Sequence, residues 1–112
     1  MQRGEIYWVN LPDPVGSGPG CPRPMLVVQA DYLNASRLRS TVFCVLTSNT
    51  SLTRFPENLL LRAAETGLSK DSVLLSTEFL TVDRSVVGDL AGRVPDHLMV
   101  SVDSALRHVL GL

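Results

Sequence analysis

The sequence predicts a mainly β, α+β fold: a small, curled, barrel-like sheet of short strands with one amphipathic C-terminal helix packed against it. Three observations predict it. Short apolar runs of strand length recur between Glu5 and Val94, bounded by turn residues. The stretch from Pro12 to Pro24 holds five prolines and three glycines in thirteen residues, which no helix or central strand survives. After Pro95 the apolar spacing changes to three and four, the period of a helix with one buried face.

Glu5 to Leu11 (EIYWVNL) concentrates the β-formers Ile6, Tyr7, Trp8 and Val9 and predicts the first strand. Pro12 to Pro24 then reads as a long loop of the kind that serves function, expected to order when a ligand binds. Pro24 to Gln29 (PMLVVQ) predicts a second strand opened by a proline, and Ser40 to Leu46 (STVFCVL) a third. The third is nearly all apolar and therefore central, and Ala30 to Arg39 before it has room for one helical turn. Thr47 to Pro56 is polar and turn-like. Glu57 to Arg62, Asp71 to Ser76 and Ala91 to Val94 are further strands, with turns at Gly67 and Gly88. Pro95-Asp96 opens the helix, with a proline and an acid in its first turn. Leu98, Met99, Val102, Leu106, Val109 and Leu110 form its apolar face, and Gly111 ends it.

At 112 residues the chain is expected to form a single domain, residues 1–112. Hydrophobic residues make up 45% and charged residues 19%, enough apolar surface to exclude disorder. The longest apolar runs fall far short of the ~18 residues of a membrane span. The start of the chain does not read as a signal peptide, because Glu5 follows Arg3 at once and the apolar stretch stops at Val9. The net charge of −1 argues against a non-specific polyanion binder. Between Arg23 and Arg54, however, stand four arginines and one acid, Asp31, so any anion-binding face belongs to the first half.

Cys21 and Cys44 are too few for a disulfide scaffold, and no CxxC or HxxxH spacing marks a metal site. Cys21 stands near Arg23, with no histidine nearby in sequence to activate it. His97 and His108 lie on the polar side of the C-terminal helix, ~16 Å apart along its axis, too far to flank one scissile bond. No phosphate-binding glycine loop or nucleophile elbow is present.

Two features carry chemistry. Arg23 is clamped between Pro22 and Pro24, so its guanidinium is held where it can donate two parallel hydrogen bonds to a phosphate. It would equally serve as a surface arginine at a strand end. Thr47-Ser48-Asn49 places three short polar side chains at the end of the most apolar strand. Hydroxyls there can hold a phosphate oxygen, although the same residues are ordinary turn formers.

Arg3-Gly4-Glu5-Ile6 before an aromatic strand, Asp13-Pro14, Gly16-Ser17 and Arg23-Pro24 occur in an order that resembles the MazF/PemK family of toxins. Asn34, the strand end Leu46-Thr47-Ser48-Asn49, Gly67-Leu68 and Asp71-Ser72-Val73 continue the resemblance. Thr81-Val82-Asp83, Gly92-Arg93-Val94 and the final helix extend it over nearly the whole chain. The resemblance implies an SH3-like barrel of the CcdB/PemK type and a cytoplasmic homodimer. It implies the toxin of a toxin–antitoxin pair, a sequence-specific endoribonuclease that cuts single-stranded RNA (mRNA) with no metal or other cofactor. A cognate MazE-like antitoxin would fill the RNA groove with its flexible tail. Arg23 and Thr47 become the catalytic residues, with Ser48, Asn49, Ser17 and Arg54 binding substrate.

The expected chemistry is transesterification: the ribose 2′-OH attacks its own 3′-phosphate, and Arg23 and Thr47 supply charge stabilisation and in-line geometry. The chain departs from the family where Gly18 and Pro19 follow Ser17, and where Leu75 and Thr77 replace an Arg and Asp pair of the PemK branch. Leu80 stands where an arginine is frequent. A rival reading is a CcdB-like toxin that binds DNA gyrase and is not a nuclease. Such toxins end their last helix in a Trp-containing tip, whereas this chain ends in Leu110-Gly111-Leu112 and its one tryptophan is Trp8. An RNA-binding barrel without activity is a third reading.

Overall fold

The computed structural model describes residues 1–11 and 21–112. Ser17 and the proline-glycine loop expected to order on binding lie outside the described residues, except for Cys21 to Pro24. Six strands and three helices follow in order: β1 (Glu5–Leu11), β2 (Cys21–Val27), α1 (Asp31–Asn34), β3 (Ser40–Thr47), β4 (Leu59–Leu61), α2 (Ala63–Thr66), β5 (Ser72–Asp83), β6 (Val87–Arg93) and α3 (Asp96–Leu110). Short 3₁₀ turns at Thr50–Arg54 and Arg84–Val86 lead into β4 and β6. The strands form one antiparallel sheet in the order β4-β5-β3-β2-β1-β6. Among the described residues no helix is long and apolar enough to cross a membrane.

Two buried clusters cover the two faces of the sheet. Ile6, Leu26, Cys44, Leu46 and Leu74 pack under Met99, Val102 and Leu106 of α3. Val9, Met25, Val27 and Phe43 form the second cluster, flanked by Tyr7, Leu80 and Val82. Each strand thus sends alternate residues to opposite apolar environments, which explains the nearly continuous apolar run of β3. Burial pushes the Cys44 thiol up to about 12, and its S–H donates to the Leu75 carbonyl at 3.1 Å. Cys44 is therefore a packing residue and not a nucleophile.

The structure departs from the sequence reading at three strands, and one is β6, which begins at Val87 and so takes in Gly88, expected as a turn. β2 begins at Cys21, three residues before Pro24, and so takes in both prolines. It pairs with β1 from Cys21 to Leu26 but with β3 only from Met25 to Val27. Pro22 and Pro24 therefore sit where β2 has one neighbour, which is where a strand tolerates a missing N–H. β5 runs to Asp83, well past Ser76, because an irregularity opposite Cys44 and Val45 absorbs Ser76, Thr77 and Glu78. Ser76 is buried there, donating to the Glu57 carbonyl at 2.6 Å, and its N–H donates to Asn58 Oδ1 at 3.3 Å.

No ladder joins the edge strands β4 and β6, so the sheet is unclosed. Packing bridges the gap instead. The carbonyl of Thr66, at the end of α2, lies so near β6 that a Cβ on Gly92 would stand 2.4 Å from it. Only glycine admits that approach. Polar contacts hold the rest of the frame. Arg3 donates through Nε to the Val28 carbonyl at 2.8 Å and pairs with Asp103 of α3 at 2.8 Å. Asp31 accepts the Arg3 backbone N–H at 2.7 Å and the Asn34 amide at 3.1 Å, and these bonds hold its carboxyl below the usual carboxylate range. His97 and His108 are mainly exposed, as expected, and stand 3.5 Å from Glu65 and 3.1 Å from Glu57.

Gly92→Ala is expected to lower the unfolding free energy by about 1–3 kcal/mol, the usual cost of forcing a methyl group into a packed contact. Denaturant titration measures it, and an unchanged midpoint would show that the α2–β6 contact has room to give.

Candidate active site

Arg23 of β2 and Thr47 of β3 come from adjacent strands and line one cavity. β2 and β3 pair Met25 with Val45. The ladder stops there, and Arg23 and Thr47 lie two residues beyond it on β2 and β3. Both border one cavity of about 620 Å³, whose floor includes Trp8, Pro24 and Leu46. Trp8 pairs with Pro24 across β1 and β2. The Asn49 backbone N–H donates to Thr47 Oγ1 at 3.2 Å, so the hydroxyl keeps its own hydrogen for a further acceptor.

The opposite wall is the segment after α2. That helix ends at Gly67, whose φ of 82° reverses the chain. Thr66 Oγ1 accepts the Leu68 N–H at 3.2 Å, and Asp71 accepts the Ala63 N–H at 2.8 Å. These bonds fix the turn, and its residues Gly67 to Lys70 line the cavity. Lys70, the one lysine of the chain, therefore faces the same space as Arg23. The described lining holds these two cations, the hydroxyls of Thr47, Ser48, Ser69 and Ser72, and no carboxylate. In a protein of net charge −1 this is a local concentration of positive charge and hydroxyl donors. Among the described residues no three His, Cys, Asp or Glu side chains stand together as metal ligands.

Residues 2–110 match the family described as the PemK-like, MazF-like toxin of type II toxin-antitoxin systems. The chain belongs to that family. Endoribonuclease MazF6 of Mycobacterium tuberculosis is 46% identical over 112 residues, covering all of this chain and 98% of the relative. Endoribonuclease EndoA of Bacillus subtilis is 32% identical over 113 residues, covering all of this chain and 96% of its own. In fold, the chain superimposes with a TM-score of 0.78 on a mycobacterial endoribonuclease solved in complex with its cognate antitoxin. That pair is 24% identical, with all of this chain and 96% of the other covered. These matches support the MazF reading and give the gyrase-binding alternative no support.

The toxin's predicted site residues divide into two groups. Arg23, Thr47 and Ser48 line the cavity. Asn49 and Arg54 do not border it. Asn49 Oδ1 accepts from the Ser51 N–H at 3.3 Å and from Ser51 Oγ at 2.6 Å, which caps the 3₁₀ turn. Arg54 lies over the Phe55 ring, 5.0 Å from its centroid. Arg39, in the same basic window, faces Asp83 at 3.5 Å. The window is therefore not one face, and Arg23 has a partner from the second half of the chain in Lys70. Sequence reasoning missed Lys70 and Trp8 as lining residues. A lone lysine after Gly67-Leu68 was a signal available in the family-like segment, while Trp8 read only as a strand former.

Asn49→Ala is expected to cost about 1 kcal/mol of stability through loss of the cap. A denaturation curve for this variant that overlays the wild type would mean the cap does not hold the turn.

Proposed function

We propose that this MazF-type endoribonuclease, acting as a single domain over residues 1–112, cleaves single-stranded RNA by transesterification without a metal ion. The observation that carries the reading is the cavity in which Arg23 and Lys70 stand among four hydroxyls and no described carboxylate. The substrate's 2′-oxygen forms a bond to its own 3′-phosphorus as the bond to the 5′-oxygen of the next nucleotide breaks. The 2′-OH loses its proton, the leaving 5′-oxygen gains one, and the products are a 2′,3′-cyclic phosphate and a 5′-hydroxyl. Because the nucleophile belongs to the substrate, no metal-activated water is required.

In this scheme Arg23 donates two parallel hydrogen bonds to the phosphorane oxygens as their charge grows. Thr47 donates its free hydroxyl hydrogen to a phosphate oxygen or orients the 2′-OH, and Ser48 binds beside it. Lys70 adds a mobile positive charge that favours the phosphate backbone. By analogy with the solved relative held by its cognate antitoxin, the toxin pairs with a MazE-like antitoxin whose flexible tail competes for the cavity. It acts as a homodimer in the cytoplasm.

Arg23→Ala is expected to lower single-turnover cleavage by about 10²–10³-fold, with a much smaller loss of RNA binding. Arg23→Lys should restore part of the rate, since an ammonium keeps the charge but not the planar grip. Cleavage should persist in excess EDTA. Near-wild-type cutting by Arg23→Ala at saturating enzyme would remove Arg23 from the chemistry. Activity lost in EDTA and restored by magnesium would remove the metal-free mechanism.

A further inference from the structure

We infer that Lys70 is the general acid of the cleavage, giving the proton that the leaving 5′-oxygen gains; this rests on the RNA-cleaving function proposed above. The ladder between β3 and β5 limits where Lys70 can stand. Thr47 pairs directly with Val73, and residues paired in this way hold their Cα atoms about 4.5–5.5 Å apart. Lys70 is three residues before Val73, so even a fully extended chain keeps its Cα within about 11 Å of the Val73 Cα. The segment between them is tied down. Asp71 accepts the Ala63 N–H at 2.8 Å, Ser72 Oγ donates to the Lys70 carbonyl at 3.3 Å, and β5 begins at Ser72. From this turn the ammonium, on its flexible stem, borders the cavity that Arg23 and Thr47 border from β2 and β3.

The reaction needs a proton donor distinct from the groups on β2 and β3. In an in-line displacement the attacking 2′-oxygen and the leaving 5′-oxygen stand on opposite sides of phosphorus. The leaving alkoxide takes a whole proton, so its donor must be able to part with one. Arg23 cannot, because a guanidinium stays protonated in proteins, whereas an ammonium can lose a proton. The histidines are engaged elsewhere: His97 stands by Glu65 and His108 by Glu57, and neither lines the cavity. The described lining holds no carboxylate, so beyond the neutral hydroxyls of Thr47, Ser48, Ser69 and Ser72 its one acid is Lys70. Lys70 is exposed and enters no ion pair among the described residues, so no partner has to be displaced.

The two cations thus have different tasks. Arg23 keeps its protons and balances the growing charge of the phosphorane, and Lys70 transfers one proton. An Nζ–H bond breaks as the bond from phosphorus to the 5′-oxygen breaks, and the hydrogen goes to that oxygen. The amine left behind regains a proton from water, which also receives the 2′-OH proton, so none is gained or lost over a turnover.

The test is single-turnover cleavage at saturating enzyme by wild type, Lys70→Ala and Lys70→Arg. Two RNAs are compared, alike except that sulfur replaces the 5′-oxygen at the cut in the second. A thiolate leaves without a proton, so the second RNA needs no acid. On ordinary RNA, Lys70→Ala should cut about 10²-fold more slowly or worse. Lys70→Arg should be as slow, because it restores the charge but not a proton that can be given. On the sulfur-substituted RNA all three proteins should cut at similar rates, which also shows that the variants are folded. Lys70→Arg cutting ordinary RNA at the wild-type rate would reduce Lys70 to a charge. Equal slowing of Lys70→Ala on both RNAs would make it a binding or structural residue, and no slowing on either would place it outside the chemistry. Each of these three results overturns the inference and leaves the proposed function standing. A wild-type protein that cuts neither RNA overturns the proposed function, and the inference with it.

Discussion

The register between β2 and β3 is the constraint on which the core and the site both depend. Pairing Leu26 with Cys44 sends both under α3, and pairing Val27 with Phe43 sends both to the opposite cluster. A slip of one residue would exchange the two faces of a strand. Because both faces are buried, the exchange would not expose apolar groups to water, but it would mismatch the side chains packed on each side. It would also part Arg23 from Thr47. The apolar pairs of these strands thus set the frame from which Arg23 and Thr47, two residues beyond the ladder, reach the same cavity.

A second arrangement completes the cavity. The sheet is left open between β4 and β6, and α2 fills that gap by lying against Gly92. The chain leaving α2 passes over the ends of β2 and β3, carrying Lys70 to face Arg23. The open edge is therefore what gives the site its second wall. Had β4 and β6 paired, the Gly67–Lys70 turn would have had no place there. Arg3, just before β1, also bonds the Val28 carbonyl past the end of β2 and pairs with Asp103, tying α3 to the sheet.

Much of the fold was legible because local signals were strong. The span of β1 was read as it occurs, since Ile6 to Val9 are β-formers bounded by Pro12. The helix α3 was read from its apolar spacing, although Leu110 lies exposed past the packed face. The second half of β5 was not legible: Ser76, Thr77 and Glu78 break the apolar pattern, and only the neighbouring strand and the Glu57–Asn58 loop explain why they stay in the sheet. Within the site, Arg23 was legible from its flanking prolines and Thr47 from its place at the end of an apolar strand. Lys70 and Trp8 were not, because their roles come from packing between segments far apart in sequence. The basic window misled because it counted charges alone, whereas Asp83, distant in sequence, engages Arg39 and the adjacent Phe55 ring engages Arg54.

The central claim is that Arg23 and Thr47, which border one cavity, act together on one phosphate. A double-mutant cycle on single-turnover cleavage, with Arg23→Ala, Thr47→Val and the double variant, tests it most directly. Groups acting together on one transition state give losses that do not multiply, so the double variant should cut only slightly more slowly than the worse single variant. A double variant whose loss is the product of the two single losses would show two independent groups and contradict the account.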